Sequence, residues 1–162
     1  MGLFFKKKNK SNEIIIYAPI AGQIKPIEKL QDKTFAEKVM GDGIAIIPTV
    51  GEVHAPIDGK ISALLDTKHA YGISGEDGVE LLIHVGQDTV NLKGQHFETN
   101  KKEGDEIKKG DLLGTFNIAA IVKDGYNVAT PVILIAGGEY KIKEKTSANT
   151  VNVGDVLFTI SK

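Results

Sequence analysis

The sequence predicts an all-β fold, an antiparallel β-sandwich or barrel-like domain with internal duplication and at most short helical turns. Glycine is abundant, with 18 in 162 residues, and aromatic residues make up only 6%, which suits short strands joined by tight turns. Turn signals recur roughly every eight to twelve residues, as they do in sandwiches and barrels. The pattern Ala-Pro-Ile-x-Gly occurs at residues 18–22 and 55–59, and Gly104–Leu112 is echoed by Val153–Leu157. These repeats indicate duplicated sheet units.

Residues 1–12 are predicted to be a flexible tail and residues 13–162 a single domain, because 162 residues fall within the ordinary size of one domain. In the tail, three apolar residues from Leu3 to Phe5 precede four lysines. Such a segment is either a solvated tail or a weak membrane-surface anchor, too short to hold firmly without a second signal. Both interpretations are open on the sequence.

Apolar runs bounded by glycine, proline or charged residues predict the strands in order along the chain. Strand-turn-strand units are predicted at 14–24 and 54–61. Helix is predicted only at Phe35–Met40 and Ile118–Lys123, with a turn or two at each. The remaining predicted strands are Ile44–Ile47, Leu112–Phe116, Thr130–Ala136, Tyr140–Glu144 and Val156–Ile160.

Charge and composition exclude several classes of function. A net charge of −1 gives no reason to expect a nucleic-acid surface. All 20 basic residues are lysine, so a phosphoryl group would depend on backbone N–H groups, lysine or a partner, not on a bidentate guanidinium. The absence of cysteine excludes disulfides, thiolate nucleophiles and zinc–thiolate sites. No apolar run approaches the roughly 20 residues of a spanning helix, and we expect a soluble cytoplasmic protein.

One apolar stretch contains a histidine that needs a reason. Val79–Val90 is predicted to be a strand rich in branched residues, with His84 in its middle and a Gly-Gln-Asp break after it. The preceding segment Ser74–Gly78 is a compact turn signal. If the hairpin is symmetric about the bond between Glu76 and Asp77, His69 lies directly opposite His84, with Cβ atoms about 4.5–5.5 Å apart. Alternation then places Leu65, Thr67, His69 and Tyr71 on the same face as Leu82, His84 and Gly86.

Two neighbouring imidazoles suit a metal site, acid–base work or a nucleophilic ring supported by a second ring. Asp88 or Asp42 could complete a metal site, but neither spacing matches a metal motif. We therefore expect no dedicated metal or cofactor, although adventitious zinc between the two rings is easy to picture. The remaining histidines, His54 and His96, are predicted to lie at the surface.

Of these interpretations, the nucleophilic ring requires the fewest additional groups. A neutral imidazole carries one lone-pair nitrogen near neutral pH, and that nitrogen can take a phosphoryl group. His69, positioned by Thr67, would donate a hydrogen bond to the phosphoryl oxygens, and backbone N–H groups near Gly86 and Gln87 would add to it. An apolar rim would exclude water and offer a flat patch to a protein partner. The predicted rim residues are Leu65, Leu82 and Val90.

Three segments now carry a resemblance to a known family. They are Phe35–Gly43 (Phe-Ala-Glu-Lys-Val-Met-Gly-Asp-Gly), Thr67–Ala70 (Thr-Lys-His-Ala) and Gly78–Gly94, which contains Leu-Leu-Ile-His-Val-Gly-x-Asp-Thr-Val. Together they resemble the glucose-family enzyme IIA of the bacterial sugar phosphotransferase system, and the similarity runs from about Ala18 to Ile160.

The resemblance implies an antiparallel β-sandwich that relays a phosphoryl group. It would accept the group from the phosphohistidine of the histidine-containing phosphocarrier protein HPr and pass it to a cysteine on the IIB domain of a glucose-type sugar permease. His84 would be phosphorylated through Nε2, His69 would be its hydrogen-bonding companion and Thr67 the orienter, while Gly86 and Asp88 would line the site. The docking patch would consist of Phe35, Met40, Leu65, Leu82 and Val90. Some members also bind regulatory partners, and the resemblance leaves that open here.

Two alternatives remain at this point. A metal-dependent hydrolase would use His69 and His84 as ligands together with an aspartate. A biotinyl- or lipoyl-type carrier is suggested by the duplicated Gly-Asp signals, yet its lysine needs a tight hairpin tip, and Lys38-Val39-Met40 does not look like one. Family members often have phenylalanine where this chain has Leu65 and Leu82, which bears on the choice of partner only.

Overall fold

The computed structural model of the protein describes residues 13–162, so the predicted tail lies outside the described residues. In the described part of the chain, short antiparallel strands dominate and the helices span one or two turns. The strands are β1 (Glu13–Tyr17), β2 (Gly22–Pro26), β3 (Gly41–Pro48), β4 (Glu52–His54), β5 (Gly59–Ala63), β6 (Ala70–Ser74), β7 (Glu80–His84), β8 (Phe97–Glu98), β9 (Glu106–Ile107), β10 (Leu112–Phe116), β11 (Thr130–Ile135), β12 (Lys141–Lys145), β13 (Thr150–Val151) and β14 (Val156–Ser161). The helices are α1 (Lys33–Ala36) and α2 (Ile118–Lys123), with 3-10 turns at Ile27–Lys29, Glu76–Gly78 and Thr89–Leu92.

An eight-stranded sheet forms the body of the fold, in the order β13-β2-β3-β11-β7-β6-β5-β9. Two three-stranded sheets, β1-β14-β12 and β4-β10-β8, complete the architecture. The named strands of all three sheets pair in antiparallel fashion. The predicted antiparallel β-sandwich with short helical turns is therefore confirmed.

The two predicted helical segments differ in how well their bounds were placed. The one at Ile118–Lys123 begins and ends as predicted. The other is displaced toward the N-terminus: α1 starts after Asp32, whose side chain accepts a hydrogen bond from the Thr34 N–H at 3.0 Å. This is the N-cap arrangement that fixes a helix start. The segment ends before Met40 because Lys38 has a left-handed backbone, with φ of 60°.

The repeated sequence patterns occupy equivalent places in the fold. In one half the Ala18 N–H donates to the Asp155 carbonyl at 2.7 Å, and in the other the Ala55 N–H donates to the Asp111 carbonyl at 2.8 Å. Each aspartate also accepts from the backbone N–H three residues before it, Asn152 or Lys108, at 2.8 Å. The strands follow the same scheme, since β13 pairs with β2 as β9 pairs with β5. The internal duplication is thus visible in the hydrogen bonds themselves.

The eight-stranded sheet buries both of its faces. Side chains of β3, β7 and β11 alternate between a main core, which contains Ile46 and Ile83, and a smaller cluster on the opposite face. The smaller cluster is covered by the segment around α1, and Leu82 packs against it. Its buried members are Ile27, Leu30, Phe35, Ala45, Ala129 and Ile133. No helix within residues 13–162 has the length and apolar character needed to cross a membrane.

The duplicated turns yield a paired test of stability. We expect Asp111→Ala and Asp155→Ala each to lower the free energy of unfolding by about 1 kcal/mol, since each removes one side-chain acceptor of a backbone N–H. Urea titration followed by circular dichroism measures the change. Asp66→Ala is the control, because Asp66 is exposed and its side chain makes no hydrogen bond among the described residues. A large loss at one turn and none at the other would show that the two turns are not energetically equivalent.

Candidate functional site

The hairpin that carries the two histidines has a register one residue away from the predicted one. Ala70, not His69, lies opposite His84 in the β6–β7 ladder. The cause is the turn, because its loop has an odd number of residues, Glu76–Gly78. The loop is closed by the Gly75 N–H, which donates to the Val79 carbonyl at 2.8 Å. Asp77 stands at its apex with φ of 54°. The pairing is therefore centred on a residue and not on the bond assumed from the sequence.

The shift also corrects the predicted face. Tyr71 is buried in the main core on the other side of the sheet from His84 and does not share its face. His69 lies just before β6, and its carbonyl accepts from the Val85 N–H at 2.7 Å. The preceding Lys68 has φ of 57°, so strand alternation does not extend upstream of β6. For this reason the direction of the His69 side chain was not predictable from a strand pattern.

The two imidazole rings are nonetheless in contact. The ring centroids of His69 and His84 are 4.7 Å apart, and the rings meet edge to face at 83°. His69 is buried, with 6% of its surface exposed, and His84 is half-buried at the end of β7. The predicted neighbourhood of the two histidines is thus present although the predicted pairing is wrong.

One nitrogen of each ring is engaged. Nδ1 of His84 lies 2.8 Å from the carbonyl oxygen of Gly86. A carbonyl only accepts, so this nitrogen carries the proton and donates. In the neutral ring the lone pair is then on Nε2. Nδ1 of His69 lies 2.9 Å from the hydroxyl oxygen of Thr67. The second ring is therefore also held through its Nδ1.

Both rings are kept neutral by their surroundings. The pKa of His69 is lowered from 6.5 to about 4, chiefly by burial and to a lesser extent by the neighbouring His84. Burial also lowers the pKa of His84, against the opposing effects of the Gly86 carbonyl and the carboxylates of Asp32 and Asp88. Because burial penalises the charged form, His84 presents an unprotonated nitrogen at neutral pH.

The segment after His84 is shaped to deliver the Gly86 carbonyl. Gly86 has φ of 77°, and a Cβ placed there would lie 2.8 Å from the Asn127 carbonyl oxygen and 2.6 Å from the Thr89 Cγ2. The N–H groups of Gly86 and Gln87 are already used, donating to the Thr130 hydroxyl at 3.4 Å and to the Asn127 carbonyl at 2.9 Å. These two N–H groups are therefore engaged within the fold itself, and the role of N–H groups near them toward a phosphoryl group stays a prediction.

The helix α1 brings an aromatic ring to the site. The Phe35 ring centroid is 4.9 Å from that of His84, and Phe35 is only 4% exposed. Phe35 therefore packs against the histidine and presents almost no area to a partner. This differs from the prediction that it forms part of the docking patch. Asp32, at the start of the same helix, was missed by the sequence analysis although a capping aspartate before a helix is a recognisable signal.

The other predicted patch residues lie at the surface. Leu65 is 69% exposed, Met40 and Val90 are also exposed, and Leu82 is half-buried. Val39 is exposed as well and was not predicted. Asp88, in a left-handed conformation with φ of 61°, contributes its negative charge to the surroundings of His84.

The remaining histidines lie elsewhere in the fold. His54 hydrogen-bonds to the Gly110 carbonyl at 2.9 Å and pairs with Glu52, and His96 pairs with Asp124 at 2.8 Å. Within residues 13–162, no group of three or more histidine, aspartate or glutamate side chains could hold a metal ion. The ligand set that a metal-dependent hydrolase needs is thus missing from the described chain.

Comparison with known proteins gives the family of this chain. Residues 14–140 match the family model for the phosphoenolpyruvate-dependent sugar phosphotransferase system, EIIA 1. The chain belongs to this EIIA family. A solved structure, glucose permease IIA from Mycoplasma capricolum, is 34% identical and has a TM-score of 0.86, with the match covering 98% of this chain and 99% of that one. The chain is therefore a glucose-type EIIA component with a phosphotransfer role in the sugar phosphotransferase system.

The EIIA assignment also overturns the carrier-domain alternative, and the structure shows why its lysine is unsuitable. Lys38 does not project from a hairpin tip. Its Nζ is 2.9 Å from the Glu28 carboxylate and 3.5 Å from that of Asp42. These pairs hold the lysine against the protein, whereas a swinging cofactor arm requires a free one.

Substitution of Gly86 tests the loop that holds His84. Gly86→Ala should lower the free energy of unfolding by about 1 kcal/mol or more from the left-handed backbone alone, with a further loss from the contacts with Asn127 and Thr89. Gly78→Ala is the matched control, because Gly78 has a similar φ of 81° and no atom lies within 4 Å of the point where the new methyl group would stand. Urea titration of both variants separates the cost of the left-handed backbone from the cost of the close contacts. Equal losses would mean that close packing at Gly86 is unimportant.

Burial of His69 predicts a specific acid sensitivity. Its pKa is about 4 when folded and 6.5 as the reference for the unfolded chain. Between these values the unfolded chain binds a proton that the folded protein does not, so stability falls as the pH drops from about 6.5 toward 4, by up to about 3 kcal/mol. His69→Gln should lose correspondingly less stability across this interval. The measurement is urea unfolding at several pH values, and parallel curves for both proteins would contradict the assigned burial effect.

Proposed function

We propose that His84 is the phosphoryl acceptor of this EIIA component, with HPr as donor and the IIB domain of a sugar permease as recipient. The single observation that carries the proposal is the hydrogen bond from Nδ1 of His84 to the Gly86 carbonyl, 2.8 Å long. It leaves Nε2 as the lone-pair nitrogen, and the second imidazole stands beside it. A second imidazole in contact with the nucleophilic ring can donate a hydrogen bond to a phosphoryl group carried there.

In the first step, Nε2 of His84 attacks the phosphorus of the phosphohistidine on HPr. A new nitrogen–phosphorus bond forms at Nε2 while the old one on the HPr imidazole breaks, and the electron pair of the broken bond returns to the HPr nitrogen. No proton has to leave His84, because Nδ1 retains its proton on the Gly86 carbonyl. The acceptor thus becomes a cationic ring bearing a dianionic group, and the carbonyl oxygen stabilises that positive charge.

His69 is proposed to stabilise the transferred group. With its pKa lowered to about 4, its ring is neutral and carries one N–H. If the Thr67 hydroxyl donates to Nδ1, that proton is on Nε2 and can be donated to a phosphoryl oxygen. Thr67 therefore has the orienting role, since it selects the tautomer and fixes the ring plane.

In the second step, a thiolate of the IIB domain attacks the phosphorus. The sulfur–phosphorus bond forms as the bond to Nε2 breaks, and the electron pair returns to His84. Nearby carboxylates assist departure, because Asp32 and Asp88 place negative charge around the site and the chain has no arginine to oppose it. The site is proposed to borrow positive charge from each partner in turn.

Docking of the partners is assigned to the apolar surface beside the two rings. The candidates are apolar side chains that are exposed or half-buried, and an apolar patch suits transient protein contact. Leu65, with 69% exposure, contributes the most accessible side chain. The proposed patch consists of Val39, Met40, Leu65, Leu82 and Val90, with Phe35 beneath it.

Phosphorylation with defined components tests the proposal. The protein is incubated with phosphoenolpyruvate, the general enzyme I and HPr, with a chelator present because zinc between the rings would occupy Nε2. We expect one acid-labile phosphoryl group, and we expect His84→Ala to abolish it. Intact mass spectrometry at neutral and acidic pH gives the readout.

Replacement of His69 distinguishes support from acceptance. His69→Ala should retain phosphorylation by HPr while slowing transfer to a IIB domain by about 10²-fold or more, as expected for the loss of one donor to the transferring group. His96→Ala is the control, since Nε2 of His96 lies 2.8 Å from an Asp124 carboxylate oxygen, and the rings in contact are those of His69 and His84. Full labelling of His84→Ala would falsify the acceptor assignment.

A further inference from the structure

We propose that Gln87 is a positioning residue for phosphoryl transfer, because its side chain ties the start of α1 to the segment that holds His84. The two segments are distant in sequence, and the hydrogen bond from the Asp32 N–H to Gln87 Oε1, 2.9 Å long, spans 55 residues. The kinetic part of this inference rests on the proposed function, whereas its structural part concerns the unphosphorylated protein alone.

Gln87 is itself held from two directions. Its backbone N–H donates to the Asn127 carbonyl at 2.9 Å, in an isolated antiparallel bridge between the two residues. Its side chain is buried, with 5% of the residue exposed. Gln87 follows directly on Gly86, whose carbonyl oxygen accepts the hydrogen bond from His84 Nδ1–H. Because Gln87 is fixed in this way, the group bonded to its side chain is held at a defined position relative to the His84 segment.

What the side chain holds is the N-cap of α1. Asp32 caps the helix through Thr34, and the first full turn carries Phe35, whose ring centroid is 4.9 Å from that of His84. The same Asp32 contributes negative charge around His84. Loss of the Gln87 bond therefore removes one restraint on the position of the aromatic ring and of one of the two carboxylates that act on His84.

The role of Gln87 depends on its side-chain oxygen and not on the volume that the side chain fills. Nε2 of Gln87 is buried without a hydrogen-bond partner among the described residues. A buried unpaired amide group costs stability, and an apolar side chain of the same length would fill the space without that cost. The feature that distinguishes glutamine here is the acceptor that holds the Asp32 N–H.

The test compares Gln87→Met with a matched control. Methionine has a similar length and no amide. Gln31→Met makes the same change at an exposed residue that lines, together with Gln87, a polar cavity of about 350 Å³. NMR of the unphosphorylated protein should show displaced ring-proton signals of His84 in Gln87→Met, because the Phe35 ring no longer sits at a fixed distance. Gln31→Met should leave them in place. Gln87→Glu keeps an oxygen for the Asp32 N–H and should hold the signals closer to their original positions.

Kinetics provide the second readout. Gln87→Met should lower kcat for transfer from HPr about tenfold, since misplacement of a reacting group is costly, while the KM for HPr changes by less than about twofold. Unchanged His84 signals together with an unchanged kcat overturn the proposal, even if the variant is less stable. If Gln87→Met does not fold, Gln87→Asn gives the same test by withdrawing the oxygen from Asp32. Failure of the unmodified protein to accept a phosphoryl group would reject the proposed function, while the NMR comparison would still decide the role of Gln87.

Discussion

The site depends on one hydrogen bond, from Nδ1 of His84 to the carbonyl of Gly86. It fixes the tautomer and the ring plane and leaves the other nitrogen free, so a single contact between residues two apart prepares the proposed nucleophile. The geometry is available only because Gly86 adopts a backbone that a side chain would obstruct, with the Asn127 carbonyl pressed against it. The packing of the loop around Asn127 thus helps to fix the tautomer of the His84 imidazole.

The balance of charge around His84 is consistent with a group that is accepted and then given away. Burial lowers the pKa of His84 and favours the neutral nucleophile, whereas the carboxylates of Asp32 and Asp88 act in the opposite direction. In the proposed mechanism, the same carboxylates repel the dianionic phosphoryl group on Nε2. A site rich in cations would bind the phosphoryl group more strongly and release it more slowly, so the lack of arginine suits a relay better than a store.

The sequence was most informative where local signals agree with tertiary packing. The apolar runs predicted β10 and α2 to the residue, and the duplicated Ala-Pro and Gly-Asp patterns predicted a repeated topology. The hairpin register could not be predicted, since it depends on whether Asp77 takes the left-handed apex, and both turn lengths fit the same letters. The burial of Phe35 and the Gln87 bond to Asp32 were also inaccessible, because both arise from contacts between segments far apart in the chain.

The position of His84 in the sheet reconciles rigidity with access. The adjacent Ile83 is paired on both sides, with Tyr71 of β6 and Val132 of β11, so the backbone next to the nucleophile is fixed by the centre of the eight-stranded sheet. Its side chain faces away from the main core, because strand alternation sends Ile83 inward and His84 outward. An edge strand would offer the same exposure but a mobile backbone and unpaired hydrogen-bonding groups. The central strand therefore presents a fixed, half-buried imidazole at its end, which suits the proposed transfer between two different protein partners at the same surface.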